Sequence, residues 1–207
     1  HNGDFFGERP FYVETINGTD VLTPNSDKYT QKTSGYKQYN FMQKLAYKTQ
    51  SGFTHSANFQ YSTSTDINRY DRLTDPAGSG LKSAEWYYGP QKRLLGVYSL
   101  EKENVFANTD FKLDAGYQNV EESRINRNFG SANRNNRIEK VAVYSLGANF
   151  ETKLKKGNLY YGIENYYDDL TSSAFRNNIN TGVETPLDTR YPNGKNNMMR
   201  NDVYVSY

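Results

Sequence analysis

The chain contains no cysteine and only two histidines. The first absence excludes a disulfide scaffold and a thiolate metal site, without fixing the compartment. The second leaves little for imidazole chemistry. His1 lies at a terminus, and His55 stands between Phe53 and Ala57 beside a turn, where a boundary histidine with its polar tip in the wet zone is the plain account. No apolar run approaches the length of a membrane-spanning helix, and no segment reads as a signal peptide. The chain starts at His1 rather than Met, as a processed or excised product would. Hydrophobic residues make up 35% of the 207, too few for a thick soluble core. Neither charge sign dominates: 25 basic and 23 acidic residues are well mixed, which excludes the electrostatic footprint of a nucleic-acid binder. Apolar residues also lack a 3.6-residue period over any useful length.

Aromatic residues are abundant instead. With 19 Tyr and 11 Phe, the chain is far too aromatic for a disordered one, and these residues favour strands and surfaces with one apolar and one wet side. A period of two organises them. Tyr39, Phe41, Gln43, Leu45 and Tyr47 alternate with Asn40, Met42, Lys44, Ala46 and Lys48. After Thr49-Gln50-Ser51-Gly52, Phe53, His55, Ala57, Phe59 and Tyr61 oppose an unbroken polar row from Thr54 to Ser62, which together predict a hairpin. The same alternation recurs at 84–100, 111–118, 141–150, 159–164 and 203–207. Residues 1–33 read as a long loop region with a short hairpin turning at Asn17-Gly18. Further long polar connections are expected at 64–83, 121–137 and 168–200, and short ones at 49–52, 101–108 and 155–158.

Connections that alternate short and long, joining strands near the ~9–11 residues that cross a bilayer at a tilt, predict a membrane sheet. A negative hydropathy is no obstacle, because a barrel strand is apolar only at every second position. The expected fold is all-β, an antiparallel transmembrane β-barrel, partial, with about seven meandering strands of a larger barrel. The segments YNFMQKLAYK, HSANFQYSTSTDINRYDRLTD and AEWYYGPQKRLLGVYSLEKE resemble the barrel region of TonB-dependent outer-membrane receptors. The likeness runs from about Ser34 onward, so that 34–207 is part of the barrel domain and 1–33 an extracellular loop region. The resemblance implies uptake of a scarce nutrient, of the ferric siderophore, haem or cobalamin class, with no bond made or broken and no bound cofactor. It implies as partners outer-membrane lipid of a Gram-negative bacterium, the family's own plug, TonB and a metal-chelate or other nutrient ligand. Such receptors carry a plug inside about 22 strands, and neither plug nor TonB box is recognisable here, so the chain is expected to be a piece of a longer receptor.

Roles follow from the alternation. Lys44, Asn58, Lys112, Asp114, Gln118 and Glu164 are expected to line the lumen. Tyr39, Phe59, Tyr61, Trp86, Tyr98, Phe111 and Tyr161 are expected at the membrane interface, with Trp86 read either as a girdle anchor or as part of a recognition surface. Candidate ligand contacts in the long connections are Arg69, Tyr70, Arg72, Tyr87, Arg127 and Arg134, the last two from an Asn/Arg-rich stretch that also reads as a plain solvated loop or a phosphate-attracting one. Asp168-Asp169 is a carboxylate pair that reads as a solvated strand end or a divalent-cation site. No nucleophile or metal spacing is evident. A surface adhesin or glycan-binding β-protein is the alternative in a different class, and an outer-membrane enzyme barrel the third.

Overall fold

The computed structural model of the chain describes residues 8–207, so His1 lies outside the described residues. The N-terminal segment forms a hairpin, β1 (Phe11–Ile16) and β2 (Thr19–Pro24). Its turn holds Asn17 at φ 49° and Gly18 at φ 77°, the left-handed pair that a two-residue hairpin loop demands. Then come β3 (Gln38–Lys48) and β4 (Phe53–Ser64). A compact excursion follows: β5 (Ile67–Asn68), one helical turn α1 (Tyr70–Leu73), β6 (Pro76–Ala77), β7 (Gly80–Leu81) and β8 (Ser83–Tyr88). The remaining strands are β9 (Lys92–Phe106), β10 (Thr109–Asn128), β11 (Asn133–Leu154), β12 (Gly157–Asn178), β13 (Glu184–Pro186) and β14 (Lys195–Ser206).

The large sheet is an antiparallel meander in chain order, β3-β4-β9-β10-β11-β12. The short strand β8 pairs with the far part of β10, at Arg124–Asn128, while β9 pairs with its near part, at Thr109–Glu121, so β8 and β9 share one lane. In the same way β13 and β14 divide the lane beyond β12. That makes seven lanes, with no pairing between the outermost, β3 and β14. The sheet is therefore open at both edges.

Cross-strand register sorts every side chain to one of two faces. On one face lie Phe41, Leu45, Phe59, Tyr61, Leu94, Tyr98, Leu113, Tyr117, Tyr144, Leu146, Ile163, Tyr167 and Val203. Many are far from buried: Phe59 is 42% exposed, Tyr144 49%, Ile163 57% and Val203 79%. Only two hydrophobic residues among those described are fully buried, Leu73 and Ile125. The apolar face is thus an uncovered surface rather than one half of a core.

That face has two chemically different borders. Toward the short turns a row of rings runs across the lanes. Phe111 and Phe150 lie 5.2 Å apart, Phe150 stacks on Tyr161 at 5.2 Å, and Lys102 caps the Phe53 ring at 4.3 Å. Toward the other end the border is ionic. Glu121 of β10 accepts Lys92 of β9 at 3.2 Å and Lys140 of β11 at 3.1 Å.

Beyond the ionic border the chain departs from the expected layout. The Asn/Arg-rich stretch at 121–137 is not a loop. β10 and β11 continue as paired strands through it and turn only at 129–132. Likewise β12 carries on to Asn178, which shortens the last connection. Backbone pairing satisfies amides regardless of side-chain polarity, and the N-terminal hairpin covers one face of this extension.

Candidate functional site

Arg127 anchors that cover. It is 1% exposed, donates to Asp20 at 2.7 and 2.8 Å, to Glu85 at 2.8 Å, to Thr15 Oγ1 at 2.8 Å and to the Ser131 carbonyl at 2.7 Å. Asp20 also accepts the Gly130 amide at 2.8 Å. Burial pushes the Asp20 carboxyl upward, yet the hydrogen bonds from Arg127, Thr15 and Gly130 together outweigh it and hold it below the ordinary aspartate range. Arg134 completes the group with Glu85 at 3.6 Å. Five donors of one guanidinium are consumed here, so Arg127 is a structural clasp for the β1–β2 hairpin and is closed to ligands.

The other predicted ligand contacts scatter. Tyr70 opens α1 with Arg9 over its ring at 5.0 Å. Arg72 is an exposed helix residue paired with Asp75 at 3.3 Å. Tyr87 points to the clasp side of β8, where burial raises its phenol pKa. Arg69 alone reaches the opposite, polar face.

The position of Trp86 requires a correction of the expected alternation. Tyr88 pairs with Arg124, but Lys92 pairs with Glu121, so the lane gains one residue across Gly89-Pro90-Gln91. A one-residue slip exchanges the two faces of a strand. Trp86 and Tyr88 therefore stand on the polar face, while Leu94 and Tyr98, of the same sequence parity, stand on the apolar one. Tyr39, Phe59, Tyr61, Tyr98, Phe111 and Tyr161 share the apolar face; Trp86 does not. Lys44, Asn58, Lys112, Asp114, Gln118 and Glu164 all lie on the polar face. Their contacts there are local: Lys112 lies 3.4 Å from Glu101 and 3.6 Å from Asp114, and Gln118 accepts Arg93 at 3.0 Å. His55 Nδ1 lies 2.7 Å from the Tyr98 hydroxyl on the apolar face. Asp168 and Asp169, being neighbours in β12, point to opposite faces and form no carboxylate pair.

On the polar face the structure brings Arg69 to Trp86 and Tyr88, a grouping the sequence suggested, and adds Arg124, which the sequence did not place there. Trp86 and Tyr88 meet edge to face at 5.1 Å. Arg69 stacks over Trp86 at 4.8 Å and over Tyr88 at 5.6 Å, donates to the Tyr88 hydroxyl at 2.8 Å and grips Asp71 through Nε at 2.7 Å. That grip draws the Asp71 carboxyl below its usual range. Arg124 lies against the same rings at 6.0 and 5.8 Å, and its Nε is buried with no hydrogen-bond partner. Directly across the β10–β11 ladder from Arg124 is Arg137, and one step along, Glu122 faces Glu139. The signal for this was in the sequence as a mirrored pair, Glu122-Ser123-Arg124 and Arg137-Ile138-Glu139, which an antiparallel hairpin sets like against like.

No family model matches this chain, and no curated protein or solved structure is significantly similar to it.

Proposed function

We propose that this sheet is part of the wall of an outer-membrane TonB-dependent receptor, a transporter that takes up a scarce nutrient of the ferric siderophore, haem or cobalamin class. The observation that carries this reading is the uncovered apolar face. It spans all seven lanes, is backed by a polar face, and stops at a border of rings on one side and of Lys–Glu–Lys ions on the other. Contiguous apolar surface on this scale is rare on soluble monomers. On β4 the band runs from Phe53 to Tyr61, about 27 Å at ~3.4 Å per residue. At a strand tilt of about 40° that is roughly 20 Å of thickness before side-chain reach, against an apolar band of about 25 Å in outer-membrane barrels.

In this reading the apolar face meets lipid, the polar face looks into the lumen, and the free edges of β3 and β14 pair with further strands of a larger barrel. The tight turns at Thr49–Gly52, Ala107-Asn108 and Lys155-Lys156 are periplasmic, and the extension clasped by Arg127 stands outside the cell. The lumen-lining and interface residues predicted from alternation take those roles, with Trp86 moved to the lumen side. A water-soluble adhesin or glycan binder, by contrast, has to hide the apolar face.

The test is partition. The folded protein is expected in the detergent phase of a cloud-point separation and in the outer-membrane fraction of cells. Recovery as a folded monomer from the aqueous phase, without detergent, overturns the barrel reading.

A further inference from the structure

The polar face at the clasped end holds two like-charged pairs in adjacent rows, Arg124 opposite Arg137 and Glu122 opposite Glu139. Directly opposed like charges destabilise a sheet. The ordinary remedy is diagonal pairing, Arg124 with Glu139 and Arg137 with Glu122. Yet among the described residues none of these four has an ion-pair partner within 4.0 Å. Arg124 instead lies over the Trp86 and Tyr88 rings at 6.0 and 5.8 Å, which Arg69 also approaches at 4.8 and 5.6 Å. The Nε of Arg124 is left buried and unpartnered, while Glu139 receives only a long contact from Ser172 at 3.4 Å. Cations and anions are held apart where the backbone invites them together.

We infer that this patch binds a zwitterionic, peptide-like ligand, its carboxylate on Arg124 and Arg137 and its ammonium on Glu122 and Glu139. Guanidinium forks recognise carboxylates in a bidentate manner, and a carboxylate pair is the natural seat for an ammonium donor. The spacing fits as well. Rows two residues apart are about 7 Å from each other along the strand, and an extended dipeptide also spans about 7 Å. A simple dianion meets the glutamates, and a diamine meets the arginines, so both are repelled by half of the site. The inference rests on reading the polar face as the ligand-facing one and does not require insertion in lipid.

Trp86 is the sole tryptophan, so its emission reports this patch alone. The full chain in detergent micelles is titrated with alanyl-alanine, succinate and putrescine while Trp86 fluorescence is followed. Saturable change is expected with the dipeptide and much weaker change with the other two. The double variant R124Q/R137Q is expected to weaken the dipeptide by about tenfold or more, the loss of charge-assisted hydrogen bonds. The double variant E122Q/E139Q should also weaken the dipeptide but strengthen succinate, a crossed response that misfolding cannot produce. Strand content by circular dichroism accompanies each variant. Succinate or putrescine binding as tightly as the dipeptide overturns the inference. So does a dipeptide response that survives R124Q/R137Q, or no saturable response in folded protein. Failure of the partition test leaves this titration intact, which keeps the two readings separable.

Discussion

The same strands, β10 and β11, pass through two environments that are built in opposite ways. Between the ring row and the ionic row, one face carries Phe, Tyr, Leu and Ala with no described residues covering them. Past Glu121 the same face carries Ser123, Ile125 and Arg127, all buried beneath protein. The near half leaves its apolar side chains without a cover among the described residues. The far half makes its own interior, and centres it on an ion pair rather than on aliphatic packing. The β10–β11 ladder runs unbroken from one half into the other, while the lane on the other side of β10 slips by one residue at the boundary.

Four experiments break or sharpen this comparison. Replacing Arg127 with Met leaves Asp20 as an uncompensated carboxylate under the hairpin, with Glu85 held only by Arg134, and breaking a buried pair from one side costs about 3–5 kcal/mol. The expected result is release of the β1–β2 hairpin, read as fast amide exchange at 11–24 and protease cleavage near Asn17-Gly18, while the strands from β9 to β12 stay protected. Uniform loss of protection throughout the sheet argues that the two halves are one cooperative unit.

Phe59→Arg and Asn58→Arg address the other half. They are neighbours in β4 on opposite faces. In the membrane reading the first places a charge in lipid and lowers assembly by about 2–4 kcal/mol near the midplane, whereas the second enters a polar face and is tolerated. Equal assembly yields, measured by heat-modifiable gel mobility, break the assignment of faces.

Gly162→Ala probes the close packing of β11, β12 and β14. An added Cβ meets the Ala148 carbonyl oxygen at 2.6 Å and Tyr204 Cε1 at 2.9 Å. Overpacking of this kind costs about 1–3 kcal/mol, expected as a lower denaturant midpoint with the hairpin clasp unaffected.

The smallest effect at neutral pH is the proton dependence of the clasp. Asp20 has a depressed folded pKa, so its contribution is complete above the ordinary aspartate value of about 3.9 and fades as pH falls through the lower folded value. Protection of the hairpin amides, taken relative to their intrinsic exchange rates, is expected to be flat from neutral pH down to that range and to fall below it. In Asp20→Asn the acid-dependent fall disappears.

Much of the near half was legible. The alternation from Tyr39 to Tyr61 and the turn at Thr49–Gly52 fall where a period of two puts them, because each strand there has one wet and one apolar side. The far half was misread for a reason of composition. Asn and Arg have poor strand propensity and the look of a loop, but pairing partners on both sides override propensity. An irregularity at Gly89-Pro90 was legible, but not the exchange of faces it brings: a register change exists only relative to the partner strand, and β10 alone reveals it. Burial of Arg127 depends on a contact 107 residues away in sequence, which no local pattern records. The mirrored Glu-x-Arg and Arg-x-Glu triplets were in plain sight, but they acquire meaning only once the turn between them is placed.

The strict chain order of the lanes has a kinetic side. Along the path β3-β4-β9-β10-β11-β12 each strand pairs with the one before it, and only the β4–β9 pairing closes over a longer stretch, the excursion from β5 to β8. Such a sheet can lengthen one hairpin at a time, always presenting a single growing edge, and its loop-closure cost is met in small instalments. A machine that accepts strands in order from one end needs only to hold that edge open.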